Sequence, residues 1–176
     1  MKRINLFGSP CAGKSVLAHE LFVYFKKSGI NCEVVNELAR EWAYIDRPIK
    51  SMDQLFLFST QMNREDTLLT RNKVEFIITD SPIMLNAFYG IQVDPTLQDA
   101  YCRFGNKFEE KYKSINFFCQ QNKNYVFHSE GRYHNESQTK EINDKMLEFL
   151  KSYLGDSLVV LENDNRLEQV LNYIAK

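Results

Sequence analysis

Short apolar runs alternate with longer amphipathic ones along the chain. That alternation predicts an α/β domain with a mainly parallel sheet. Residues 2–7, 31–36, 74–79, 115–120 and 157–161 read as strands, each brief and nearly continuous in apolar character, as strands buried on both faces are. Between the first two, Leu17, Leu21 and Phe25 recur every four residues within 14–27, and Gly29 supplies a stop. Residues 51–72, 96–113, 138–153 and 165–174 read as further helices. No internal repeat or Gly/Ser-rich linker interrupts the pattern, so 1–176 is expected to be a single domain.

Composition narrows the partners. Lys and Arg number 22 against 23 Asp and Glu, a net charge of −1, so no global field draws the protein to nucleic acid or to an acidic membrane. A hydrophobic content of 44% with 26% charged residues is that of a folded globule and excludes intrinsic disorder. The longest purely apolar run is too short to span a bilayer. Cys11, Cys32, Cys102 and Cys119 show no C-x-x-C pairing and read as reduced thiols, which makes a cytoplasmic location the expectation.

Directly after the first strand stands Gly8-Ser9-Pro10-Cys11-Ala12-Gly13-Lys14-Ser15, a full G-x-x-x-x-G-K-[ST] phosphate-binding loop. Chance places its four fixed residues together in about one window in 10⁴–10⁵. The two glycines let successive backbone N–H groups turn inward onto phosphate oxygens, and the helix starting near Lys14 adds its positive end. Lys14 then reaches the β- and γ-phosphates, and the Ser15 hydroxyl can ligate Mg²⁺.

Two strand ends carry carboxylates. The third strand closes on Asp80-Ser81-Pro82, where Asp80 either holds Mg²⁺ with Ser15 or caps the next helix, with Pro82 in its first turn. After the second strand comes Glu37, placed on the same rim to accept a proton from an acceptor hydroxyl. Arg40, three residues on, shares its helical face and can fix the acceptor. Trp42 and Tyr44 offer a stacking wall, although core packing is the commoner fate of such aromatics. The plainer reading of Glu37 and Arg40 is a helix start with an i,i+3 ion pair.

The polar stretch at about 121–137 is long for a compact domain and is expected to be a lid. Gly131-Arg132 lies within it and Gln138-Thr139 follows. Arg132 is the candidate to neutralise the transferring phosphoryl group as the lid closes out water.

Together the phosphate loop, Glu37-x-x-Arg40, the strand-end Asp80 and a Gly-Arg lid followed by Gln138-Thr139 resemble the small P-loop kinases. That group includes the nicotinamide riboside kinase domains of the NadR type and compact phage-encoded ATPases and nucleotide kinases, some of which phosphorylate hydroxymethyluracil in DNA. The resemblance implies a P-loop NTPase fold with a five-stranded sheet of order 2-3-1-4-5. It further implies ATP with Mg²⁺ as donor and a hydroxyl acceptor, nucleoside- or nucleotide-like, near Glu37 and Arg40. Segment 46–72, which should build the acceptor wall, matches no motif.

Rival readings have specific failings. A GTPase would need a glycine where Asp80-Ser81-Pro82-Ile83 has none, and an aspartate where Asn122-Lys123-Asn124-Tyr125 ends in tyrosine. An AAA+ or ABC ATPase would ask for more chain and further motifs. An ATP-binding module without transfer is a separate class. A kinase acting on 5-hydroxymethyluracil in DNA finds support at 101–127, where Arg103, Lys107, Lys111, Lys113 and Lys123 interleave with aromatics. The plainer account of that stretch is a core stripe of Phe104, Phe108 and Tyr112 with lysines on a solvated face.

Overall fold

The computed structural model describes residues 2–70, 73–121, 127 and 130–175. Its strands are β1 (Lys2–Phe7), β2 (Cys32–Val35), β3 (Phe76–Asp80), β4 (Ser114–Cys119) and β5 (Leu158–Leu161). All pair in parallel in the order β2-β3-β1-β4-β5. Register sets Leu6 beside Asp80 and Phe7 beside Phe118. The segment leaving the central strand therefore emerges next to the carboxyl ends of both neighbours, where ligands gather in open parallel sheets.

Helices α1 (Lys14–Lys27), α2 (Leu38–Ala43), α3 (Ser51–Leu69), α4 (Ile83–Val93), α5 (Gln98–Lys111), α6 (Glu136–Leu154) and α7 (Arg166–Ile174) flank the sheet. Alternation along each strand splits the core into two layers. Ile4, Leu6, Ile78 and Phe117 pack with Leu17 and Leu21 of α1 and Val170 of α7. Phe7, Ile77 and Phe118 pack with Phe58, Phe88, Phe108 and Leu150 of α3 to α6. Since both faces are covered, the strands read as unbroken apolar runs. At the amino end of β1, buried Arg3 pairs with Glu65 of α3 at 2.9 Å and with Glu109 of α5, tying two helices to the sheet.

Two helices escape the periodicity reading for different reasons. The six residues of α2 are too few to show a period. In α4, Ile83, Met84, Leu85, Ala87, Phe88, Gly90 and Ile91 are all buried, so almost no polar face marks the turn. The third strand begins at Phe76, two residues later than expected, and a 3₁₀ turn at Pro95–Leu97 precedes α5. Among the described residues no helix is long and apolar enough to cross a membrane.

Among its described residues, the basic and aromatic stretch presents no row of exposed aromatics. Tyr101, Phe108, Phe117 and Phe118 are buried in the core. Lys111 pairs with Asp66 at 3.0 Å and Tyr112 donates to the same carboxylate at 2.7 Å. Phe104 alone among these stands out, at 53% exposed. Lys123 and Tyr125 lie outside the described residues.

Candidate active site

The turn from β1 into α1 wraps as the glycine spacing requires. Gly8 has φ +145°, and a Cβ there would sit 2.6 Å from the Cys119 carbonyl oxygen. Gly13 caps α1 in the left-handed region, at φ 85° and ψ 13°. Gly8→Ala thus meets both a backbone conformation closed to L side chains and a clash with β4. It should cost about 1–3 kcal/mol and lower Tm by several degrees, with weakened triphosphate binding, as thermal melts with and without ATP would record. Unchanged melting would contradict this close packing.

Lys14 is buried, and its Nζ donates to the carbonyls of Gly8 and Ser9 at 2.9 and 3.0 Å. Ser9, also buried, has its hydroxyl 3.3 Å from Asn143 Oδ1 on α6. Pro10, Cys11, Ala12, Gly13, Lys14 and Ser15 line the cleft that opens here, whose volume is about 640 Å³. That lies within the range of small-molecule sites, ~300–1,000 Å³.

Ser15 Oγ donates to Asp80 Oδ2 at 2.5 Å, so the loop hydroxyl and the strand-end carboxylate meet directly. Asp80 Oδ1 is buried with no hydrogen-bond partner among the described residues. Two hard oxygen donors and an unsatisfied carboxylate oxygen fit a divalent cation such as Mg²⁺. Asp80 does not cap the following helix. Pro82 occupies the N-cap position, and Ser81 between them holds φ 77°, an uncommon conformation for a residue with a side chain. Cys11 in the loop is likewise at φ 59°, so both edges of the phosphate site carry unusual backbone.

Glu37 is the N-cap residue of α2, but its side chain makes no capping bond. It lines the cleft instead, as do Arg40 and Tyr44. Among the described residues Glu37 and Arg40 form no ion pair. Crowding by protein atoms raises the Glu37 carboxyl above its ordinary value. Lys14 and Arg132 pull it back, while Asp80 pushes it further up.

Trp42 departs from expectation. It is not part of the cleft but is 8% exposed, stacked on Phe56 of α3 with centroids 5.7 Å apart and covered by the Arg47 guanidinium at 3.5 Å. An indole between an aromatic ring and a cation gains more by packing there than by facing solvent.

Of the expected lid, residues 130–137 are described together with 121 and 127. Residues 130–134 line the cleft. They contact other elements around it at three points. Gly131 lies against the Tyr44 ring, where a Cβ would approach to 2.7 Å. The Tyr133 hydroxyl donates to the Arg47 carbonyl at 2.7 Å. His134 stacks on Tyr89 with centroids 5.8 Å apart. Arg132 Nη1 donates to the Gly131 carbonyl, and its Nε is buried without a partner among the described residues. Gln138 is held in a capping box with Asn135, and the Thr139 hydroxyl donates to the Asn135 carbonyl, so this pair anchors the start of α6.

Gln54, Asn86, Tyr89 and Gln92 complete the walls and were not legible as motifs. Gln54 is 7% exposed, and its side-chain amide has no hydrogen-bond partner among the described residues. Burial raises the Tyr89 hydroxyl, with the Glu37 charge as the next cause.

A phosphate loop on the central strand of a parallel sheet, with a serine–aspartate pair at its mouth, defines a P-loop nucleotide-binding domain. The chain belongs to the AAA domain family AAA_28, whose model matches residues 3–168.

Deoxyadenosine kinase from M. mycoides, solved with dCMP and dCDP, superposes with a TM-score of 0.56 at 18% identity, covering 98% of each chain. The NadR protein in complex with NAD and AMP-PNP gives a TM-score of 0.73 at 15% identity, over 99% of this chain and 50% of that one. NadR in complex with NR gives 0.71 at 14%, over 98% and 50%. These likenesses establish the shared fold. No curated protein matches the chain.

Proposed function

We propose that the chain is a kinase that moves the γ-phosphoryl group of ATP to a hydroxyl of a nucleoside-like small molecule. The observation that carries this reading is the position of Glu37. Its side chain lines the same cleft as Lys14 and Arg132. A hydrolase would need only water there. This cleft continues past Glu37 into a wall of Tyr44, Ile49, Gln54, Leu85, Tyr89 and Val93, which suits a ring with a few polar edges. The names of the two structural relatives, a deoxyadenosine kinase and NadR, point the same way.

In this reading the loop backbone and Lys14 hold the donor phosphates. Ser15 and Asp80 would hold Mg²⁺, which when bound neutralises phosphate charge. Glu37 accepts the proton of the acceptor hydroxyl, and Arg40 orients that molecule. The Gln54 amide supplies a donor and an acceptor for a polar edge of its ring. Arg132 stabilises charge on the transferring group while 130–134 roof the cleft. Catalysis is positioning plus charge stabilisation. The roof favours a small acceptor over a base in DNA.

Replacing Arg132 by alanine should slow transfer by ~10²–10³-fold with a smaller change in ATP affinity. Single-turnover rates beside equilibrium ATP titrations would separate the two, and an unchanged rate would reduce 130–134 to a structural turn. A panel of nucleosides, nucleotides, nicotinamide riboside, and DNA with and without 5-hydroxymethyluracil, each offered with γ-labelled ATP, tests the acceptor class. Label entering a nucleoside supports the reading, and label entering only DNA overturns it.

A further inference from the structure

Arg166 is the first residue of α7, and its side chain is buried, with the residue 7% exposed. It forms no ion pair among the described residues. A guanidinium withdrawn from water without a carboxylate is costly unless its donors are met. Here they are met by neutral oxygens. Nε donates to the Glu162 carbonyl at 3.2 Å. Nη2 donates to the Gln120 carbonyl at 2.5 Å and to Asn163 Oδ1 at 2.7 Å. Nη1 donates to the Ala12 carbonyl at 2.5 Å.

These acceptors belong to three stretches. Ala12 is in the phosphate loop after β1, Gln120 follows β4, and Glu162 and Asn163 follow β5. One planar cation thus ties together the carboxyl ends of three adjacent strands. The bond to Ala12 has a further consequence. The peptide joining Ala12 to Gly13 is trans, so its C=O and the N–H of Gly13 point in opposite directions. Fixing the carbonyl on Arg166 turns the Gly13 N–H the other way, and Gly13 lines the cleft. The charge of Arg166 meets no carboxylate among the described residues, and it lies on the Ala12 carbonyl of the loop itself.

We infer that Arg166 is a positioning residue for the donor's phosphate chain: its hold on the Ala12 carbonyl aims the Gly13 N–H into the loop, and its unpaired charge favours a polyanion there. This rests on reading the loop as a nucleoside triphosphate site. It assigns Arg166 to the phosphates and not to the base of the donor.

The test is calorimetric titration of wild type, Arg166→Met and Arg166→Lys with ATP, GTP and inorganic tripolyphosphate, together with KM for the acceptor. Arg166→Met should weaken all three ligands by about 10-fold or more, a loss on the scale of a hydrogen bond involving a charged group. Arg166→Lys, which keeps the charge and part of the donor set, should recover some of that loss, and acceptor KM should stay unchanged. Loss of ATP affinity with tripolyphosphate unaffected would place Arg166 on the base and overturn the inference. Equal affinities in all three proteins would overturn it as well. If Arg166→Met does not fold, Arg166→Lys decides: wild-type affinities overturn the inference, and a uniform loss supports it. A wild-type protein that binds none of the three would overturn the kinase reading and the inference with it.

Discussion

Lys14→Ala is expected to lower phosphoryl transfer by ~10³-fold or more while the fold persists. Lys14 Nζ lies on the Gly8 and Ser9 carbonyls, at the mouth of a cleft whose other cations are Arg40 and Arg132. Of the three, only Lys14 is part of the loop that cradles the donor. In the proposed mechanism its loss removes the charge that meets the β- and γ-phosphates, where charge grows in the transition state. Because the residue is buried, alanine also removes the packing of its stem. Lys14→Met keeps that stem and removes only the charge. Both variants should melt near the wild-type temperature and both should be nearly inactive. Near-normal turnover in Lys14→Met would remove the loop from the mechanism.

Glu37→Gln is expected to cut the chemical step by ~10²–10⁴-fold with little change in ATP affinity, the range for a lost general base. The glutamine fills the same space and keeps an acceptor oxygen, but it takes no proton. Burial is the largest influence on the Glu37 carboxyl and raises it above 4.5, with Lys14 opposing. A base works only when ionised, so kcat/KM should fall as pH drops through this raised value, at a pH higher than an ordinary glutamate would give. Glu37→Gln should lose that acidic limb. A change confined to acceptor KM, with the limb intact, would make Glu37 a binding residue.

The phosphate loop is legible in sequence because its chemistry is local: eight consecutive residues make the whole cradle. Glu37 and Asp80 are legible for a different reason, since parallel strands deliver their carboxyl ends to one rim. Side chains that meet only through tertiary packing leave no such mark. Gln54 and Tyr89 lie on α3 and α4, and α4, buried nearly all round, shows no helical period. Arg166 reads as one more charged residue at a helix start until β1, β4 and β5 lie side by side. Trp42 misleads because an aromatic after a strand end serves a ligand or a neighbouring helix equally well, and here Phe56 and Arg47 claim it.

On the proposed reading this cleft transfers a phosphoryl group and does not merely hydrolyse ATP. A single-turnover reaction of the wild-type protein with γ-labelled ATP, Mg²⁺ and a nucleoside mixture tests it most directly, with orthophosphate and phosphorylated nucleoside separated at each time point. Label is expected in a phosphorylated nucleoside at the rate ADP appears, with little orthophosphate. Label recovered only as orthophosphate, at the same rate with and without nucleosides, would contradict it.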